Sequence, residues 1–421
     1  MVREIHKDEY AVLAQWSLEN FFLVCITFCT VFFHQDLIAA PDVLPKGINS
    51  PMFNYGFFQN LEQRFEGDGS LWKMGDLRSV QYDANYLSKV SPEARNLITA
   101  LNAFGQSHGE IINYGILKFD INPSISYFAP IYARGITDNW TIGVGAPIVT
   151  YEVDVQMYTS HSNLESYKTL YMGRVNKDLD EALNLDIKAE TLKTISQKGY
   201  KPLGHLKQQF LSDMQVVSIY RFHQSPPLDL FYLTTLGLPT GPAWDPDDLV
   251  ALNTTGYSSI ENMLAGNFKG PFGFGFTPYV GYQYVLPDKI TARVPVDEED
   301  TLPGAEQKDV VSRNTAGKWI VKSEVDWRAT SALSFSSSYT QNQKSKDTFS
   351  GSGDKRYDLL GRRTNIREEI YSFKVTLSTV TSYFKKQSLF PYMVYYEFSD
   401  LFKGENVYRR TLHEVNFKMF F

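Results

Sequence analysis

The feature that most constrains this chain is a series of segments, each about ten residues long, in which every second side chain is apolar. Phe272, Phe274, Phe276, Val280 and Tyr282 share one face of such a segment, opposite Gly273, Gly275, Thr277 and Gln283. Trp319, Val321, Val325 and Trp327 oppose Lys322, Glu324 and Asp326. Tyr371, Phe373, Val375 and Leu377 oppose Ser372, Lys374, Thr376 and Ser378. A period of two belongs to a β-strand. Strands of soluble proteins are usually five or six residues long. Ten-residue strands with one greasy face and one bearing Lys, Glu, Ser and Gly suit a sheet whose outside meets hydrocarbon. There, with no water to satisfy backbone N–H and C=O groups, only a helix or a closed sheet pairs them all. The longest apolar run, FFLVCITFCTVFF from Phe21 to Phe33, is too short to span a bilayer as a helix. The expected fold is all-β: a transmembrane antiparallel β-barrel.

Strands are expected at 52–65, 113–134, 140–158, 214–223, 228–239, 269–285, 289–296, 317–326, 331–343, 367–384, 390–400 and 408–421. That is about twelve, with ten or fourteen also compatible with the weakest segments, 52–65 and 289–296. The intervals alternate between short (GITDN, QSPP, LPD, KKQSL) and long, as in barrels with short periplasmic turns and long extracellular loops. In 113–134 the apolar face, expected to meet lipid, is Phe119, Ile121, Ile125, Tyr127, Ala129, Ile131 and Ala133. Pro147 is expected to mark a bulge, because the apolar phase passes from Ile142, Val144, Ala146 and Ile148 to Tyr151, Val153, Val155 and Met157. The insertion 159–213 reads as extracellular and partly helical, in SNLESYKTLYMG, DLDEALNLD and KAETLKTISQ.

The chain ends in VNFKMFF, with Val415, Phe417, Met419 and Phe421 on one face. Termini are usually polar and loose unless tied down; an alternating terminal strand fits one that closes the barrel against the first. At the other end, Phe21–Phe33 followed by LIAAPD fits a secretory signal peptide over 1–40, with 41–421 forming a single barrel. The acidic residues Glu4, Asp8, Glu9 and Glu19 suit a true start downstream of Met1. Cys25 and Cys29 both fall in the removed segment, so no thiol chemistry is expected of the mature chain.

The segments GITDNWTIGVGAPIV, FLSDMQVVSIYRF and LFYLTTLGLPTGPAWDPDD resemble a family of outer-membrane transporters associated with the phenol meta-degradation pathway, similar in style to FadL-type channels for hydrophobic compounds. The resemblance rests on the turn Gly135–Asn139, the pair Asp213-Met214 and Leu238-Pro239-Thr240-Gly241, and covers roughly 112–290. Ser212 stands where a glycine is expected. The resemblance implies passage of small hydrophobic molecules and no catalytic residue. It also implies assembly by machinery that reads terminal aromatic strands.

Net charge is −6 and basic residues are scattered, which argues against a nucleic-acid surface. The seven histidines form no metal-ligand spacing, and no cofactor or metal is expected. In SHSN, His161 and Ser162 are adjacent and would point to opposite faces of a strand, which disfavours a lipid hydrolase. The lumen is the better candidate site. Lys322, Glu324, Asp326, Lys374, Glu397, Arg410 and Glu414 are expected to point inward, with Tyr279, Met393, Tyr395 and Tyr408 as additional lining. Inward charges of mixed sign also suit structural ion pairs. The function expected is passive passage of small, hydrophobic or aromatic solutes, with outer-membrane lipid and assembly machinery as partners. The alternative is a non-conducting surface barrel acting through its loops.

Overall fold

The structure, a computed structural model, describes residues 42–75, 80–90, 92–103, 105, 107–174, 177–252, 254–298 and 300–421. The expected signal peptide lies outside these residues. In chain order the strands are β1 (Asn49–Gln59), the short β2 (Gln63–Phe65), β3 (Leu71–Lys73) and β4 (Val80–Asp83), then β5 (Asn113–Thr137), β6 (Trp140–Gly145), β7 (Ile148–Ser160), β8 (Leu206–Leu211), β9 (Met214–Ser225), β10 (Leu228–Leu238) and β11 (Ser259–Lys269). There follow β12 (Phe274–Val285), β13 (Asp288–Arg293), β14 (Lys308–Asn314), β15 (Lys318–Arg328), β16 (Leu333–Lys344), β17 (Thr348–Ser350), β18 (Ile366–Ser378), β19 (Tyr392–Glu405), β20 (Val407–Tyr408) and β21 (Thr411–Met419).

β6 runs on into β7, and β8 into β9. The main sheet is thus a closed antiparallel barrel of 12 strands. β1 seals it, pairing with β21 on one side and β5 on the other. Closure leaves no edge strand exposed. Phe421 is tied back to β1: Asn49 N–H donates to its carbonyl at 2.7 Å.

One expected strand is not a stave. The segment 289–296 alternates well, but as β13 it pairs with β14 in a small sheet among the loops. Its apolar side packs in a separate cluster with Val311 and Tyr357. The stave passed over in sequence is β11, where Met263 and Ala265 face inward against apolar neighbours while Leu264 faces out. Apolar residues on both faces hide the alternation. One addition offsets one omission, so the number of strands is as expected.

Short turns at 138–139, 226–227, 270–273 and 329–332, and the segment carrying a short helix (Val380–Phe384), lie at one end of the barrel. Long connections at 60–112, 161–205, 239–258, 286–317 and 345–365 lie at the other. The first carries α1 (Ala84–Val90) and α2 (Pro92–Asn102); the second carries α3 (Leu164–Tyr171), α4 (Lys177–Leu183) and α5 (Ile187–Gln197). α5 starts cleanly because the Asp186 side chain accepts from the N–H groups of Lys188 and Ala189.

These helices pack onto the far half of β5 and β7. Leu87, Leu101, Leu183 and Ile195 share a core with Phe119, Ile121, Val153 and Val155. The apolar face of β5 is therefore turned inward, not toward lipid. β5 has 25 residues, more than a membrane requires. Beyond the membrane its outside meets water, and its inside meets the loop helices. Only its other half presents Phe128 and Tyr132 outward.

The same change of surroundings explains the phase change near Pro147. The pairs Ile131–Gly145 and Phe128–Ile148 leave two residues between them on each strand, so no residue is inserted there. The extra residue sits on the facing strand: Gly145–Gln215 and Ile148–Leu211 enclose two residues on one side and Ser212, Asp213 and Met214 on the other. The Ser212 N–H donates to the Pro147 carbonyl at 2.7 Å. The motif residues of the resemblance meet here. Asp213 accepts from the Gly241 N–H and from both the N–H and hydroxyl of Thr255, and Thr240 Oγ1 accepts from the Met214 N–H.

Below this level the outer surface is a continuous apolar band. It includes Tyr55, Tyr232, Leu264, Phe276, Val280, Val321, Val325, Phe373, Tyr396 and Val415, all exposed. Such a surface far exceeds the patches a soluble protein leaves to water. Rings stack along its turn end: Phe274 on Trp327 (6.0 Å), Trp327 on Phe335 (5.9 Å) and Phe335 on Phe373 (6.4 Å). A second level pairs Tyr282 with Trp319 and Tyr339 with Phe402. From Trp327 to Trp319 the chain climbs about 27 Å at roughly 3.4 Å per residue, or about 21 Å vertically at a tilt near 40°, close to the apolar height of such barrels.

Candidate functional site

Antiparallel pairing carries one row of inward positions across seven strands. Gly275 (β12) pairs with Asp326 (β15), Asp326 with Ser336 (β16), Ser336 with Lys374 (β18), Lys374 with Glu397 (β19), Glu397 with Glu414 (β21) and Glu414 with Gly56 (β1). Gly56 in turn faces Tyr127 of β5. Direct cross-strand neighbours lie close enough to interact. The row is a charged belt on the inner wall.

The neighbouring row adds Glu324 and Lys322. Glu324 is buried between two lysines, with Lys374 Nζ at 3.4 Å and Lys322 Nζ at 3.5 Å. Each ammonium also lies over a ring: Lys322 over Tyr279 at 5.2 Å and Lys374 over Tyr395 at 5.8 Å. Glu414, 6% exposed, accepts from the Tyr395 hydroxyl at 2.9 Å and from the Tyr127 hydroxyl. Tyr127 reaches it across β1 because the intervening residue is Gly56; a Cβ there would stand 2.5 Å from the ring. Next to them the Asn416 amide donates to Asn54.

Higher on the polar wall, Glu368 accepts from Arg410 and Asn342, both at 2.9 Å. Asp326, Glu397 and Met393 are half-buried on the inner side. Tyr408 is elsewhere. β21 begins at Thr411, and Tyr408 belongs to β20, which pairs with β2 above the barrel and places the ring beside Arg64. Val415 and Phe417 face outward on the closing strand and Phe421 is exposed at its end, with Met419 opposite Tyr392.

The opposite wall is apolar. Ile219, Leu233, Met263, Gly281 and Ile320 form one row of direct pairs. Val217, Phe231 and Ala265 adjoin it, and Val43 packs into the same cluster. The segment before β1 therefore enters the barrel at its turn end. It is held by Leu44 N–H on Thr141 Oγ1 (2.7 Å) and Gly47 N–H on the Gly135 carbonyl (2.8 Å). At mid-height the lumen is two-sided: polar and charged from β15 round to β1, apolar from β5 round to β12, where Gln215, Asp229 and Gln283 are buried at the ends of the apolar stretch.

Sequence reading missed Asn54, Gly56, Tyr127 and Asn416. Tyr127 was placed on the lipid face with its apolar neighbours. A polar Asn416 between outward Val415 and Phe417 was a usable signal for the inward face. At 160–163, the His161 ring contacts the Ser160 hydroxyl at 3.1 Å, and Ser162 Oγ donates to the Asn113 carbonyl. His161 is thus not directed at Ser162. Among the described residues no group of His, Cys, Asp and Glu side chains is arranged to hold a metal.

Comparison with solved structures places the architecture. An outer-membrane channel from Pseudomonas putida F1 superposes with a TM-score of 0.51 at 8% identity, over 92% of this chain and 100% of that one. The translocator domain of the autotransporter NalP from Neisseria meningitidis gives 0.39 at 8% identity, covering 90% of each chain. The toluene transporter TbuX of Ralstonia pickettii gives 0.35 at 6% identity, also over 90% of each. The first supports the fold; the other two, below 0.5, carry no weight. No protein-family model and no curated protein matches the sequence. The fold is that of an outer-membrane transmembrane β-barrel.

Proposed function

We propose that this barrel is a passive channel of the Gram-negative outer membrane for small molecules with an apolar or aromatic body and a polar group. One observation carries the reading: the lumen sets a charged belt against an apolar wall. An open water pore needs no apolar wall, and a purely structural filling needs no such segregation. A solute with two kinds of surface satisfies both sides. No energy-coupling motif stands out in the sequence, so gradients drive flow. In this reading the turn end faces the periplasm and the loop end the exterior, residues 1–40 are removed on export, and the barrel-assembly machinery inserts the chain. Among the candidate residues, Lys322, Glu324, Asp326, Lys374, Tyr395, Glu397 and Glu414 would meet the solute, with Tyr279 at the border of the two walls.

A second reading has its own support. The loop helices share one apolar core with β5 and β7, a rigid surface suited to a non-conducting barrel that binds through its loops. The test is reconstitution of the barrel in planar bilayers and liposomes, with measurement of conductance and uptake of small aromatic solutes. Uptake above protein-free vesicles is expected. Neither conductance nor uptake would reject the channel and leave the second reading.

A further inference from the structure

We infer that the connection between β18 and β19 is an interfacial foot: it lies in the head-group layer of the leaflet at the turn end and gathers acidic phospholipids there through Lys385 and Lys386. The inference goes beyond the channel reading and does not depend on it. The other connections at that end, 138–139, 226–227, 270–273 and 329–332, are short. This one runs over 379–391, TVTSYFKKQSLFP, and carries the helix Val380–Phe384. A hairpin that only has to reverse the chain needs no such length.

The foot is a built structure. The Thr379 hydroxyl accepts from the Tyr392 N–H at 3.0 Å and donates to the Phe390 carbonyl at 3.1 Å, which closes its base. The Gln387 N–H donates to the Ser382 carbonyl at 2.8 Å, and Lys386, at a φ of 59°, turns the chain out of the helix through the left-handed region. The Phe420 N–H donates to the Pro391 carbonyl at 3.2 Å and fastens the foot to the closing strand. Its large apolar side chains are nonetheless left outside: Phe384 is 78% exposed, Leu389 93% and Phe390 51%. An ordered turn that sets such groups outward suits surroundings other than bulk water.

Two observations identify those surroundings. The patch is continuous with the lipid-facing band: the Phe390 ring lies 5.5 Å from that of Tyr392, and Tyr392 lies 5.9 Å from Phe417, on the outer face of β21. The surface that meets acyl chains therefore runs without a break into the turn. The second observation is charge. Lys385 and Lys386 are exposed, and neither forms an ion pair among the described residues. No acidic residue lies in 379–391 or in the neighbouring turn 329–332, which is tied to the foot by the Ser378 N–H on the Ala332 carbonyl at 2.8 Å. Apolar side chains beside two ammonium groups, at the border of a lipid band, match an interface of acyl chains below and phosphates above. The lysine stems lie along the apolar surface while the ammonium groups reach the phosphates.

The test places one aminonaphthalene label on the full barrel carrying Cys25→Ser and Cys29→Ser. The label sits at Leu389→Cys or, as an aqueous reference in a loop at the other end, at Ser352→Cys. Each protein is checked for heat-modifiable mobility and reconstituted in vesicles of phosphatidylcholine mixed with phosphatidylglycerol. Acrylamide, from the water, is expected to quench the Leu389 label at least about threefold less than the reference. Brominated phosphatidylglycerol is expected to quench it about threefold more than brominated phosphatidylcholine at equal mole fraction, and Lys385→Gln with Lys386→Gln should reduce that ratio to within about 1.5-fold of unity. Equal acrylamide access at the two sites would overturn the inference and leave the patch to water or to a protein partner. Equal quenching by the two lipids, or a ratio that survives loss of both lysines, would overturn it as well. A barrel that fails to conduct would remove the channel reading and leave these outcomes unchanged.

Discussion

Arg293 is expected to be the fastening of the helical cap. Its guanidinium, 1% exposed, donates to Asp247 through Nε (3.0 Å) and Nη2 (2.6 Å), to the carbonyls of Lys198 (2.6 Å) and Pro303 (3.0 Å) through Nη1, and to that of Gly199 (2.8 Å) through Nη2. It also lies 3.7 Å above the Tyr200 ring. One side chain thus ties the end of α5 to two other loops. In Arg293→Met the stem still packs, but three carbonyls lose a charged donor. At roughly 1.5–3 kcal/mol for each bond to a charged group, full loss would come to about 4.5–9 kcal/mol. Water entry and the Lys308–Asp247 pair at 2.5 Å recover part of this, leaving about 3 kcal/mol. That corresponds to about a hundredfold more frequent local opening. Native-state proteolysis of the detergent-solubilised barrel, scored by cuts within 161–205, measures it. The barrel itself should keep its heat-modifiable mobility. A cutting rate within about threefold of the parent would refute the fastening.

Four further outcomes are expected. Val321→Lys, on the outer face between the aromatic levels and nearer the Trp319 one, should destabilise the barrel by about 1–2 kcal/mol in urea unfolding from vesicles; no effect would deny that this face meets lipid. Gly56→Ala should displace the Tyr127 ring and cost about 1–3 kcal/mol, and Tyr127→Phe should cost less in that background than alone, read from the double-mutant cycle. Asp213→Ala should strand three donors and cost about 2–4 kcal/mol in the same unfolding assay; a loss below about 0.5 kcal/mol would sink that account of the motif. The last concerns acid. Burial pushes the Asp247 carboxyl up, but hydrogen bonds from Lys308 and Arg293 outweigh it and hold it below its ordinary value of 3.8. A depressed carboxylate stabilises above its ordinary value and loses that contribution as pH falls through the depressed one. Amide exchange in α5, corrected for intrinsic rates, should therefore show constant protection from neutral pH to about pH 4.5 and accelerated opening only below about pH 4; opening that begins near pH 6 would assign the acid response to other groups.

How much of this was legible depended on what each face touches. From β12 to β21 one face meets lipid and the other a polar lumen, so Trp319, Lys322, Val325 and Asp326 could be sided from the alternation. In β5 the contrast inverts: Phe119 and Ile121 are apolar because helices from other loops cover them, a long-range fact that no local period carries. β11 is apolar on both faces and gives no alternation. β13 alternates because it is half-buried in a loop sheet. The belt was visible as inward charges, but its registration was not. That Glu397 faces Glu414 and Lys374, and that Lys374 also reaches Glu324, follows from pairing between strands distant in sequence. Tyr408 was misplaced because the last strand starts three residues later than the pattern suggested.

The bridge from Tyr127 over Gly56 to Glu414 spans the joint between the first and last strands. A slip of two residues at that joint would carry Glu414 opposite Asn54 or Phe58, while the Tyr127 ring stays over Gly56, so the hydroxyl and the carboxylate would part. The bond thus belongs to one alignment of the first and last strands and marks the register in which the cylinder is closed.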